Sequence, residues 1–336
     1  MKKIIALLQA AVLCFGLVAC GSSETSTASG DTGAAKKTGE KVTVYMPSPA
    51  GLADKLAEGF TAATGIEVEQ FQGTTGEILA RLEAEEANPV ADVVILASWS
   101  DGLSMKKSGK LVSYTPANAD KAVEGWIDVD SMLFGYSASA VGVIYNTTLI
   151  SELNADWDEL AGGEYAGQLA IPDGEKSGSA KDFIAGYVAE YGWDTFEAMA
   201  TNGMTCPGAN KAALESVTTG EVAVLVAGVD YNAYSSMDKG EPLSIYYPAG
   251  GTVVNPRPAM IMNTAPNMES AKLFIDYLYS EEAQALVADA YLLPGRADVI
   301  CDNRTNLVDI PQINCDWEKI LEISAESAAK MNGLCG

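Results

Sequence analysis

The stretch KVTVYMPSPAGLADKLAEGFTAATGIEVEQFQGTTGEILARLEAEEANPVADVVILA, Lys41 to Ala97, decides the fold. KVTVYM (Lys41 to Met46) alternates and is β-branched, which reads as a strand. Pro47-Ser48-Pro49-Ala50-Gly51 breaks it. Leu52, Leu56 and Phe60 then recur at helical spacing, and Gly65 ends that helix. Ile66 to Phe71 reads as a second strand, Gly73-Thr74-Thr75-Gly76 as a turn, and Ile78, Leu79 and Leu82 as a helix ending near Asn88-Pro89. DVVILA (Asp92 to Ala97) is a continuous apolar run, the pattern of a parallel strand buried on both faces. A βαβαβ rhythm of this kind predicts an α/β fold, a parallel sheet covered by helices.

The rhythm continues outward. Ala140 to Tyr145, Leu169 to Ile171, Val222 to Val226, Leu243 to Tyr247 and Ala259 to Met262 read as further strands. A helix follows Ser179. Ala271 to Tyr291 reads as one long helix, with Phe274, Ile275, Leu278 and Ala285 on one face, and Trp317, Ile320 and Leu321 open a final helix. There are no internal repeats.

Upstream, Lys2 and Lys3 precede an apolar run to Ala19, so residues 1–19 read as a secretory signal. Leu17-Val18-Ala19-Cys20, followed by Gly21-Ser22-Ser23, resembles the lipobox of bacterial lipoproteins. That resemblance implies cleavage before Cys20 and acylation of its thiol. Residues 20–40 are rich in Ser, Thr, Gly and Ala and read as a flexible tether. The formal charge is −24, near −26 once Lys2 and Lys3 leave, which argues against nucleic acid as a partner. A small anion is not excluded, because backbone N–H groups at helix starts hold anions whatever the global charge. The chain has no histidine, so Ser-His-Asp and Cys-His catalysis and His-ligated zinc are excluded. Beyond Cys14 and Cys20 four cysteines remain, and an even number outside the cytoplasm suggests disulfides. Three connectivities are open. Nearness in sequence favours Cys301–Cys315, leaving Cys206–Cys335.

Several segments resemble the substrate-binding proteins of bacterial ABC importers, in the cluster that includes ferric-iron, thiamine, phosphonate and sugar-phosphate binders (extracellular solute-binding family 1). They are FTAATGIEVE from Phe60, GTTGEILARLEAEEANPVADVVI from Gly73, GVIYNT from Gly142 and GEVAVLVAGVDY from Gly220. IYYPAGGTVVNPRPA from Ile245, SAKLFIDYLYSEEAQ from Ser270 and LPGRADV from Leu293 continue the series. The resemblance implies a type II periplasmic-binding-protein fold, two α/β lobes joined by crossing hinge strands and closing on ligand. One lobe would comprise residues 41–137 plus 262–336 and the other residues 138–261. The ligand would lie in the cleft at loops beyond strand C-termini.

The candidate ligand contacts each have a structural counterpart. Ser48 follows the first strand and either grips an oxyanion or caps a helix. Thr74 and Glu77 have capping-box spacing, while Thr75 offers a hydroxyl beside Gly76. Ser98 and Trp99 follow DVVILA. Ser177-Gly178-Ser179 opens a helix, and the resemblance implies an anion grip there. Asp230-Tyr231 stands where ferric relatives carry adjacent tyrosines. With one tyrosine and no histidine, iron would have to use Glu77, Asp230 and Tyr231. Tyr247 to Thr252 resembles a sugar-phosphate loop, with Gly250 replacing an acidic residue and Thr252 a candidate contact. Arg257, near the return crossover, could pair with an anion or with a structural carboxylate, and the structural role is preferred.

These readings converge on a monomeric, lipid-anchored receptor of an ABC importer, without cofactor, presenting a small anionic (phosphorylated or phosphonate) solute to the transmembrane permease subunits. A ferric-iron receptor is the alternative reading. An extracellular carboxylate-based hydrolase is a third, of a different class.

Overall fold

In a computed structural model, which describes residues 40–49 and 51–335, the chain begins with β1 (Lys41–Met46) and α1 (Leu52–Thr64). Then come β2 (Glu67–Gln72), α2 (Thr75–Ala84), β3 (Val93–Ile95), α3 (Trp99–Lys107) and the long β4 (Phe134–Asn146). After a single-turn α4 (Trp157–Leu160) follow β5 (Leu169–Ala170), α5 (Gly178–Tyr191), α6 (Asp194–Thr201), α7 (Asn210–Thr218), β6 (Val224–Val229) and α8 (Asp230–Asp238). The chain continues through β7 (Leu243–Tyr246), β8 (Val254–Ile261), α9 (Met268–Leu278), α10 (Glu281–Asp289), β9 (Leu293–Pro294) and α11 (Trp317–Leu334). The expected signal over residues 1–19, the expected acylation site Cys20, the expected tether up to residue 39 and the loop residue Ala50 lie outside the described residues. No described helix is long and apolar enough to cross a membrane.

The opening βαβαβ unit forms as its pattern dictates. β1 pairs in parallel with β2, from Lys41 opposite Glu67 to Met46 opposite Gln72, and with β3 on its other side. Gly65, at φ 77°, ends α1 in the left-handed conformation glycine tolerates. Val42, Val44, Leu56, Phe60, Phe274 and Leu278 close one apolar core against this sheet. A second core gathers Val141, Val143, Phe183, Phe196 and Val224.

Two strands run between these cores. β4 pairs antiparallel with β8 from Phe134 to Ala140, then with β6 and β7 from Val141 onward. β8 continues from β4 onto β3, placing Ile261 opposite Val93. The two cores are therefore joined by antiparallel strands that belong to both. The single long helix expected over Ala271 to Tyr291 is instead two. The break lies at Tyr279-Ser280, because the Ser280 hydroxyl accepts from Ala283 N and caps a new helix.

Of the two expected bonds, Cys206–Cys335 forms and Cys301–Cys315 does not, leaving both of the latter thiols free. Nearness in sequence misleads here. Cys301 is buried beside the Leu292 carbonyl, whereas Cys315 packs against the second core. The Cys206–Cys335 link ties the end of α11 to the segment after α6. α11 lies along α5 and also on α3, with Trp317 6.4 Å from Trp99 and Lys107 paired to Glu318.

Candidate functional site

The crossing strands place a polar face where the two cores meet. In the register of β4 and β8, Ser137 lies opposite Arg257 and Ser139 opposite Asn255, so these four share one side of the ribbon. Ala138, Ala140 and Val254 face the other side and pack on Trp126, Leu293 and Ile310. All four polar residues are fully buried. Arg257 donates from Nη2 to the Pro47 carbonyl, just beyond β1, while its Nε and Nη1 have no partner. The Ser137 and Ser139 hydroxyls and the Asn255 Oδ1 are likewise unpartnered, and Asn255 Nδ2 donates to the Ser179 carbonyl at 3.3 Å.

Arg257 is the anomaly. The other arginines among the described residues pair with carboxylates: Arg81 with Glu85, Arg296 with Asp298 and Arg304 with Asp230. Arg257 forms no ion pair among the described residues, which overturns the carboxylate pairing expected for it. A buried guanidinium without a counter-charge is costly, and natural proteins keep such groups for a reason. The Tyr231 ring lies 5.8 Å from the guanidinium carbon. Burial raises the Tyr231 phenol above its ordinary range, and the Arg257 charge works against that rise.

A second polar cluster joins α3 to α5. Ser98 caps α3 by accepting from Asp101 N, and Ser177 caps α5 by accepting from Ala180 N. The buried Asp182 carboxylate receives the Ser98 hydroxyl at 3.2 Å, the Ser100 hydroxyl at 2.5 Å and Ser100 N at 3.4 Å. Burial pushes its pKa up to about 6, opposed by Lys181 and the two serine hydroxyls and reinforced by Asp101. Lys181 pairs with Asp101 at 2.5 Å along the edge of the same contact. Ser179 donates to the Ala97 carbonyl, and the Thr75 hydroxyl accepts from Ala97 N. A Cβ on Gly178 would meet the Ser98 Cβ at 2.8 Å, so only glycine permits this approach.

The structure thus brings Thr75, Ser98, Ser177, Gly178 and Ser179 into one contact zone beside the crossing strands. Tyr231 is set at Arg257, and Ser48 follows Pro47, directing its hydroxyl to the Met46 sulfur. The remaining candidates are engaged elsewhere. Thr74 and Glu77 complete a reciprocal capping box, Glu77 Oε2 receiving Thr74 N at 2.7 Å. Trp99 packs into a core cluster. Thr252 donates to the Val141 carbonyl at 2.7 Å. Asp230 takes Arg304 Nη2, Ala140 N and the Tyr247 hydroxyl, forming a sealed ion pair. No group of three or more acidic or cysteine side chains suited to a metal occurs among the described residues. Sequence reading missed Ser137, Ser139 and Asn255. Their signals are the alternation in YSAS and the polar pair in VVNPRPA, a run otherwise fit for a buried strand.

Two α/β cores joined by crossing strands, with a polar face at the junction, define a type II periplasmic binding protein. The periplasmic binding protein P5PA superposes with a TM-score of 0.77 at 21% identity, over 88% of this chain and 100% of that one. Residues 88–321 match the model for bacterial extracellular solute-binding proteins, and the chain belongs to that family. Iron uptake protein A1 of Synechocystis sp. is 27% identical over 281 residues, 74% of each chain. A protein of Salmonella paratyphi A provisionally named as a 2-aminoethylphosphonate-binding periplasmic protein is 26% identical over 254 residues, 72% of this chain and 73% of that one. This chain is accordingly an extracytoplasmic solute-binding protein of an ABC importer, whose partners are a small solute and a permease.

Proposed function

We propose that the solute is a small anion, phosphorylated or a phosphonate, and that Arg257 is its principal counter-charge. The observation that carries this reading is the fully buried guanidinium with two unpartnered nitrogens, flanked by two unpartnered serine hydroxyls. An oxyanion would accept from all of them at once, and the planar fork of arginine suits a phosphoryl group. The helix starts at Ser98 and Ser177 add favourable dipoles nearby. The lobes divide at residues 41–137 with 262–336 and at residues 138–261, and α11 lies across the division. The protein is tethered through acylated Cys20, acts as a monomer and does no chemistry on its cargo. Asp182, whose raised proton affinity would suit acid catalysis, is sealed between two helices.

Ferric iron, which the name of the Synechocystis relative suggests, is less well served. Glu77 is spent on its cap, Asp230 on Arg304, and Tyr231 stands beside a cation that would repel a metal ion. Thermal denaturation against inorganic phosphate, methylphosphonate, 2-aminoethylphosphonate, fructose 6-phosphate, thiamine and ferric citrate decides between them. A true ligand at a hundred times its Kd adds about 2.7 kcal/mol by mass action. We expect a phosphonate or phosphate ester to do so. A shift with ferric citrate alone, together with a visible phenolate-to-iron band, overturns the reading.

A further inference from the structure

One groove inverts the sign of this acidic molecule. Of the described lysines, Lys55, Lys110, Lys211 and Lys239 form no ion pair among the described residues, whereas Lys41, Lys106, Lys176, Lys181 and the others do. Lys55 on α1, Lys211 on α7 and Lys239 at the end of α8 line the same groove, about 580 Å³ in volume. In a chain of 45 acidic and 21 basic side chains, such a gathering is unexpected. Asp289 also lines the groove, and Asp238 sits beside its Tyr291, so the lysines are partly offset by two carboxylates.

The groove reaches the buried site. Tyr231 lines it and also lies against Arg257. Pro49 lines it two residues after Pro47, whose carbonyl holds Arg257. The two basic features differ in kind. Arg257 is a fixed, desolvated fork, whereas the lysines are exposed point charges on flexible stems that fit an anion of looser geometry. The volume is also larger than one phosphoryl group needs.

Resting on the anion reading above, we propose that this groove is a second anion subsite. The solute then carries two separated anionic groups: a phosphonate or phosphate at Arg257, and a carboxylate or second phosphate reaching Lys55, Lys211 and Lys239. Mutual repulsion among the three ammonium groups falls when the second anion arrives, so the distal group adds affinity.

Isothermal titration of the whole protein tests this with methylphosphonate against phosphonoacetate, 3-phosphonopropionate and 4-phosphonobutyrate, which step the distance between the two charges. At least one bis-anion should bind about ten-fold tighter than methylphosphonate, near 1.4 kcal/mol. Lys55→Ala and the double variant Lys211→Ala/Lys239→Ala should remove that gain while leaving methylphosphonate affinity within about two-fold; all three side chains are exposed, so the fold should survive. Equal affinity across the series overturns the second subsite and leaves the first intact. So does an equal weakening of methylphosphonate and bis-anion in the variants, which marks a general field. Failure of every phosphonate and of inorganic phosphate overturns the anion reading, and the subsite with it.

Discussion

At the scale of single residues, Arg257 sets function against stability. Its guanidinium has lost water and gained one carbonyl and the Tyr231 ring 5.8 Å away. Arg257→Met should therefore raise the ligand-free stability by about 1–3 kcal/mol, because an uncompensated buried charge disappears. It should also abolish the thermal shift produced by the anion. Calorimetry with and without phosphonate checks both halves, and a destabilised variant would show that the guanidinium is already compensated. Asp182 carries a pH dependence of definite sign. Its folded pKa of about 6 lies above the ordinary carboxylate value near 4, so the folded protein holds a proton that the unfolded chain releases between these limits. Ionised Asp182 opposes folding in full above pH 6, and the penalty fades as pH falls towards 4. Asp182→Asn should gain on the wild type by on the order of 1–2 kcal/mol between pH 4 and pH 7 in urea denaturation. A difference that does not change with pH rejects a raised carboxyl. The environment of neither residue is legible in the sequence. Asp182 is one of many acids, and whether Arg257 meets a carboxylate depends on where Pro47, more than two hundred residues away, is folded to.

At the scale of elements, the close approach of α5 to the β3–α3 turn depends on one missing methyl group. Gly178→Ala would press a Cβ against Ser98 and the Ala97 carbonyl. We expect a loss of about 1–3 kcal/mol and weaker anion binding, read by urea denaturation and titration calorimetry. Unchanged affinity would show that the contact is incidental to the site. Elements with strong local patterns were legible in the sequence. β1 occupies Lys41–Met46 as its alternation predicts, and α2 begins at the Thr74 cap its box announces. Other elements were hidden for identifiable reasons. Pro256 and Pro258 mask the first half of β8, because a proline-flanked segment reads as a break; here the strand runs through both, paired with β4 and β3. The start of β4 was missed because Gly135 and Ser137, at an irregularity in its pairing, interrupt the apolar run. The junction of α9 and α10 was missed because the apolar period carries through a serine that starts a new helix.

At the scale of the whole molecule, the Cys206–Cys335 link closes a sequence separation of 129 residues. Chain-entropy reasoning gives it about 5 kcal/mol. Cys335→Ser should therefore lower the melting temperature markedly and let the end of α11 fray. Trp193, whose ring lies 4.1 Å from the Lys330 ammonium near that end, would lose cover, and tryptophan emission should shift to the red on reduction of the wild type. An unshifted spectrum would show that packing alone holds the helix. The placement of α11 has a consequence for the making of the protein. Lys107 waits for Glu318, 211 positions later, and Cys206 waits for Cys335. A growing polypeptide can fold its first βαβ unit early, but the α11 helix that lies on both α3 and α5 cannot be fastened to them until position 335 has left the ribosome. Delivery through a narrow export channel therefore meets a pliant thread rather than a finished body, and oxidation beyond the membrane locks the assembly once its tail arrives.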